Sequence, residues 1–226
     1  MKFEQTQVMN FEGALRGMRN PLASWHKSDS KYDWAYGEVP AFVIGENDMG
    51  LAKRLISGGT EHRKFLRQIM VSVDITAPLY WWKEFDTYKV GTTANSTSTM
   101  HKLASTPITL DCFETDDYAI LNDEMLRVPS EGGCCHELFT LNEGIDLFIQ
   151  MLEQLRQKYN ETKDKRYWKE LVRWLPNGWL QTRTITMNYE NLRSMYHQRE
   201  NHKLTEWHSF CDWVKTLPYA QELIID

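Results

Sequence analysis

Apolar residues recur at helical spacing through most of this 226-residue chain and alternate only over short stretches. Leu141, Ile145, Phe148, Leu152, Leu155 and Tyr159 advance in steps of three and four, which places them on one face of a helix. Thr140-Leu141-Asn142-Glu143 opens that helix as a capping box, each end residue satisfying a backbone donor of the other. A shorter helix is predicted over about Asp164 to Arg173, stopped at Leu175-Pro176, and a last long one from after Asn188 to about Leu217, before Pro218. Upstream, a short helix is predicted near Phe11 to Met18 among the turn signals Asn20-Pro21, Gly37 and Pro40. Another runs from about Asn47 to Ser57, capped by Asn47 or Asp48 and ended by Gly58-Gly59. From Glu61, the positions Phe65, Leu66, Ile69, Met70 and Val73 keep helical spacing, and Pro78 restarts the chain as a helix carrying Leu79, Trp81, Trp82 and Phe85. Strands are expected in residues 106–128, at Ile108-Thr109-Leu110, Tyr118-Ala119-Ile120-Leu121 and Met125 to Val128, with acidic turns between them. The fold class is mixed α/β with helix dominating.

Composition narrows the class further. The length suits one substantial core, so a single domain over 1–226 is expected. With 26 Lys plus Arg against 31 Asp plus Glu, the net charge of -5 gives no basic excess for binding a nucleic-acid polymer. Four irregularly spaced cysteines do not make a secreted disulfide scaffold, and no run reaches the ~18 apolar residues of a membrane span. A soluble, cytoplasmic protein is expected.

Candidate chemistry gathers in two places. The stretch Thr76 to His101 passes from an aromatic stem into a run of small hydroxyl and amide residues, either a surface turn or a cradle for a polar ligand. Glu84, among Trp81, Trp82 and Phe85, is a carboxylate whose pKa would tend upward, unless it lies on a solvated helix face or pairs with Lys83. In the last helix, Leu192, Met195 and Tyr196 set an apolar face whose next positions are Arg199, His202 and Glu206, before Trp207, Phe210 and Val214 resume it. An arginine on a buried phase must find an anion: either an internal acid such as Glu206, or the phosphate or carboxylate of a ligand. His202 and His208 are candidate bases or structural histidines. Gly132-Gly133-Cys134-Cys135-His136 invites a metal reading, but the spacing is wrong for a zinc module, so no metal is expected. Trp168, Trp174 and Trp179 read as packing or an oligomer interface.

Three segments, in order, resemble the flavin-dependent thymidylate synthases. The first is Thr60-Glu61-His62 on a helix, followed by Ala77-Pro78 and the aromatic stem. The second is the loop VGTTANSTSTMH, a degenerate form of the signature Arg-His-Arg, two free positions, Ser, one free, Asn-Glu, one free, Ser, one free, Arg-Tyr. The third is Leu175-Pro176, then Asn188, then Arg199. Asn95 and Ser98 match the signature's Asn and second Ser, Thr92 or Thr93 stands for its first Ser, and Lys89 replaces its second Arg. Glu84 falls where the family has a Gln, Ser96 replaces the signature Glu, and Met100-His101 replaces Arg-Tyr. Arg173 is one place from an expected arginine, and Glu190 stands where another is usual.

The resemblance implies an α+β fold like that of the thymidylate synthase-complementing proteins, an antiparallel-rich sheet with flanking long helices. It implies reductive methylation of dUMP to dTMP with FAD, methylenetetrahydrofolate and NADPH, in a homotetramer that shares flavin sites between subunits. Arg199, Arg173, Ser98 and Glu84 would contact the pyrimidine deoxynucleotide, and Glu61, His62, Lys89, Thr92, Asn95 and Asn188 would line the flavin. Lys89, Arg173, Arg183 and Arg199 are the cations available to offset the missing arginines. Those losses leave two alternatives open, action on another pyrimidine nucleotide or a noncatalytic binding homologue.

Overall fold

The computed structural model describes residues 1–34, 40–116, 125–129 and 136–226. In chain order the strands are β1 (Lys2–Met9), β2 (Lys31–Asp33), β3 (Ala41–Val43), β4 (Met70–Pro78), β5 (Thr93–Ser96), β6 (Met125–Pro129), β7 (His136–Thr140) and β8 (Leu180–Asn188). The helices are α1 (Phe11–Arg19), α2 (Glu46–Ser57), α3 (Leu79–Phe85), α4 (Thr99–Lys102), α5 (Leu141–Thr162), α6 (Lys165–Arg173), α7 (Tyr189–Arg199) and α8 (Thr205–Lys215). A four-stranded sheet has the order β1-β4-β8-β5, and two antiparallel pairs, β2-β3 and β6-β7, stand apart from it. The chain forms two compact units: the first comprises Met1–Ile75, Glu84–Asn95 and Arg183–Asp226, the second Thr76–Lys83 and Ser96–Thr182.

In the first unit, α1 and α7 pack against a 3-10 turn at Lys64–Gln68, and α7 also packs against α8 and the C-terminal turn Gln221–Ile225. Phe65, Leu66, Ile69, Leu192, Met195, Trp207, Phe210 and Leu223 are buried there. A buried ion pair ties α1 to α2: Arg19 Nε lies 2.5 Å from Asp48 Oδ1, while the hydroxyls of Ser28 (2.6 Å) and Ser30 (2.5 Å) donate to Oδ2. Burial raises the Asp48 pKa, but these donors outweigh it and hold the carboxyl below its ordinary value. Asp48 is therefore not available to cap α2. Asp29 does so from outside, its carboxylate accepting from the backbone N–H groups of Asn47 (2.9 Å) and Asp48 (3.1 Å).

Three expectations about elements are corrected. The helical spacing from Phe65 to Val73 gives a 3-10 turn and then β4, in which Val71, Val73, Ile75 and Ala77 are buried and the residues between them half-buried. A short apolar window fits both periods, and the β-branched residues with a neighbouring strand on each side settle it as strand. Ile108-Thr109-Leu110 is not a strand: it leads into a 3-10 turn at Leu110–Cys112, with an isolated bridge from Phe113 to Trp179. The last long helix is two, α7 and α8, because residues 198–203 are all polar and press no continuous apolar face onto the core. The strands β1 and β8 had no expectation. Tyr118 to Leu121 and Gly37 lie outside the described residues. The expected helices α1, α3, α5 with its capping box, and α6 are present, as is β6.

The second unit packs α5 against α6 over Leu103, Ile108, Phe113, Ile149, Leu152 and Leu171. Glu153, on α5, accepts from the backbone N–H of Ile108 (2.8 Å), from Arg156 Nε (2.7 Å) and from Gln157 (2.9 Å). Chiefly through Arg156, these bonds hold its carboxyl at about 2 against an ordinary 4.5. A folded value below the unfolded one contributes stability that is complete above the unfolded pKa and disappears as the pH falls through the folded one. Glu153→Gln is therefore expected to cost on the order of 1–2 kcal/mol at neutral pH. The gap from wild type should shrink as the pH falls from 4.5 towards 2, which calorimetric melts across that range will read.

Candidate functional site

Three donors converge on one oxygen of Glu84, in the last turn of α3. Arg199 Nη1 lies 3.0 Å from Oε2, Trp207 Nε1 2.9 Å and His202 Nε2 3.4 Å. The backbone N–H of Leu204 donates to His202 Nδ1 at 3.2 Å, which leaves Nε2 as the ring's donor towards the carboxylate. The Arg199 guanidinium lies 4.7 Å from the Trp207 ring centroid and 5.6 Å from that of Tyr88. Its Nε donates to the Tyr88 hydroxyl (2.8 Å), which donates in turn to Gln198 (3.0 Å). The arginine on the buried phase thus meets an internal acid, but that acid is Glu84 rather than Glu206. Glu84 finds cationic and N–H donors rather than an apolar surround. Its side chain is 34% exposed and that of Arg199 19%, so this is a partly solvated pair of modest strength.

Glu84 opens a segment that returns to the start of α7. Thr87 and Tyr88 turn back on the carbonyls of Glu84 and Phe85, and the Thr92 hydroxyl donates to the Tyr88 carbonyl. Asn188 and Asn191 cap α7 reciprocally: Asn188 Oδ1 accepts from the Asn191 N–H (3.0 Å) and Asn191 Oδ1 from the Asn188 N–H (3.2 Å). Asn191 Nδ2 also donates to the Val90 carbonyl at 2.7 Å, fastening the segment to the helix. Glu190, in the first turn of α7 where the helix dipole favours an anion, receives Arg63 Nε at 2.9 Å. Arg183 is committed to Asp86 at 2.7 Å and is not spare positive charge.

A cavity of about 1180 Å³ lies within the same unit, between the region after α1 and the turns after α2. Lys27, Arg54 and Lys64 line it and make no ion pair among the described residues, and Glu61 is the one acid on its wall among them. For a chain of net charge -5, this is a concentration of uncompensated cations. Its chemistry fits an anionic ligand of dinucleotide size.

No family model matches the sequence, and no curated protein matches it. Solved structures do. Thymidylate Synthase X (ThyX) from Helicobacter pylori, with FAD and dUMP, matches with a TM-score of 0.64 at 16% identity, over 99% of this chain and 97% of that one. A flavin dependent thymidylate synthase ThyX from the same organism, complexed with FAD and dUMP, gives 0.62 at 17% over 99% and 98%. The UMP/dUMP methylase PolB from Streptomyces cacaoi, bound with 5-Br dUMP, gives 0.60 at 14% over 99% and 95%. This chain has the fold of the flavin-dependent thymidylate synthases. The mixed helix and antiparallel sheet expected from the resemblance is the one observed.

On this fold the expected residues separate into groups. Glu84 and Arg199 are in direct contact. Asn188, Thr92 and Lys89 gather around the segment held to α7, Asn188 as the cap and Lys89 exposed. Asn95 is exposed on β5, an edge strand within what reads in sequence as an irregular hydroxyl loop. Glu61 and His62 lie in a turn rather than on a helix, and both line the cation-rich cavity. Ser98 and Arg173 belong to the second unit. Ser98 caps α4, and Arg173 is half-exposed on α6 with its guanidinium on Glu170.

The remaining candidates have structural partners or surfaces. Trp174 is exposed and donates to Glu170, while Trp179 packs on Phe113. His208 is exposed on α8. Burial pushes the Cys211 thiol up to about 11, leaving it un-ionised at neutral pH. No cluster of metal-ligating side chains occurs among the described residues, and Gly132 to Cys135 lie outside them. Sequence reasoning missed Tyr88, Trp207, Lys27, Arg54 and Lys64. Trp207 was legible only as core, and lone cations in turn-rich segments carry no pattern.

Gly91 has φ +78°, and a Cβ there would come within 3.0 Å of Asn188 Nδ2 and Asn191 Oδ1. Gly91→Ala is expected to destabilise the protein by about 1–3 kcal/mol, since both the backbone conformation and the close approach oppose it. A lowered Tm will check this; an unchanged one would show that the segment is not held against α7.

Proposed function

We propose that this protein is a flavin-dependent enzyme acting on a pyrimidine nucleotide, and that its reaction is the reductive methylation of dUMP to dTMP. The observation that carries the reading is the match over 99% of the chain to solved structures holding FAD and dUMP. The cation-lined cavity supports it independently, because Lys27, Arg54 and Lys64 suit the diphosphate of FAD. His62 and Glu61 on the same wall supply hydrogen-bonding groups for its polar edges. Asn188, Thr92, Lys89 and Asn95 are assigned to the flavin by the resemblance.

A bound FAD, once reduced by NADPH, would supply the hydride, and methylenetetrahydrofolate would supply the carbon. The chain's own task is binding and orientation, with Arg199 and Glu84 meeting the nucleotide. Assembly as a homotetramer goes with this reading, and sedimentation will test it. No helix among the described residues is long and apolar enough to cross a membrane. A second reading, action on a pyrimidine nucleotide other than dUMP, is supported by the match to the UMP/dUMP methylase PolB, and a substrate panel distinguishes the two.

Purified protein should take up FAD and turn yellow, and complement a thymidine-requiring host. Arg54→Ala and Lys64→Ala are each expected to weaken FAD binding by about tenfold, the worth of one charge-assisted contact, in a fluorescence titration. Wild-type protein that stays colourless with added FAD would sink the proposal.

A further inference from the structure

The Glu84–Arg199 cluster carries a specificity that the proposed reaction does not require. An arginine receives a phosphate through two parallel N–H groups on one edge of its guanidinium. Each edge of Arg199 already has a committed member, Nε on the Tyr88 hydroxyl (2.8 Å) and Nη1 on Glu84 Oε2 (3.0 Å). The charge is also spent, because Glu84 offsets Arg199, and His202 turns its Nε2 to the same carboxylate oxygen. A phosphate arriving here meets a carboxylate and finds no complete fork.

Glu84 Oε1, by contrast, has no hydrogen-bond partner among the described residues, on a side chain that is 34% exposed. An ionised carboxylate oxygen only accepts. The group it selects is a hydrogen-bond donor. The partly exposed ring of Tyr88 stands in the same cluster and is a surface suited to a planar ring, whereas Trp207, 6.1 Å from it between centroids, is fully buried.

We propose that Glu84 is a specificity-determining residue, which withholds Arg199 from phosphate and offers its free oxygen to an N–H group of a pyrimidine base. This rests on the reading that a pyrimidine ligand occupies the cluster, and two separate measurements keep the inference and that reading apart. The first uses inorganic phosphate alone, titrated while following the side-chain Nε–H signal of Arg199 by NMR, assigned with Arg199→Lys. Wild type should respond weakly. Glu84→Gln, which keeps the shape and removes the charge, should bind phosphate about tenfold more tightly or better, and Glu84→Ala should change in the same direction. An equal response in wild type and both variants, including none in any, overturns the inference.

The second measurement compares deoxyuridine with dUMP and deoxycytidine with dCMP. Wild type should separate nucleoside from nucleotide by less than about tenfold, and Glu84→Gln should shift the ratio towards the nucleotide by about tenfold. A wild-type preference for the nucleotide that is lost in Arg199→Lys and unmoved in Glu84→Gln also overturns it. Failure of every pyrimidine to bind, with the phosphate difference intact, overturns the function reading and leaves the exclusion of phosphate standing.

Discussion

One carboxylate oxygen, Oε2 of Glu84, organises the site. It gathers a guanidinium from the end of α7, an imidazole from the turn that follows and an indole from α8. These three side chains come from a stretch that turns between the two helices, and the shared acceptor is what makes the turn specific. Glu84 supplies the counter-charge of an arginine stacked on Trp207 and Tyr88, which is why the buried phase of the helix tolerates a cation there.

The same segment that carries Glu84 is fixed at its far end by polar rather than apolar contacts. Asn188 and Asn191 cap α7 and at the same time border Gly91 and hold the Val90 carbonyl. Amide side chains serve here because each supplies both an acceptor and donors, so two residues can close a helix end and anchor a neighbouring segment at once. The cation-rich cavity of the same unit follows a different rule. Arg19, on its wall, is neutralised by Asp48 and belongs to the scaffold, whereas Lys27, Arg54 and Lys64 have no such partner. Charges that a fold does not consume are the ones left for a ligand.

Much of the fold was legible where one signal dominated. The capping box at Thr140, the Pro78 restart, the start near Asp164 and the stop before Leu175-Pro176 are local devices, and each appears where the residues place it. Legibility failed where two periods fit one window, as from Phe65 to Val73, and where a polar run interrupts an apolar stripe, as at 198–203. Of the site, Arg199 announced itself by standing on a buried phase, and Glu84 by standing among aromatics. Their pairing did not, since 115 residues separate them and Glu206 was nearer in sequence.

The sequence by itself determined which segments start and stop as helices, the absence of a basic surface excess, and the need of Arg199 for an anion. These follow from interactions between residues a few positions apart or from composition, and they hold whatever the chain packs against. Tertiary structure decided that the anion is Glu84, that β4 and β8 are the sheet's centre, and that Lys27, Arg54 and Lys64 face one cavity. Those outcomes depend on which distant groups are brought within a few ångströms, and the strength of a hydrogen bond or ion pair is set by that distance and by nothing the local sequence records.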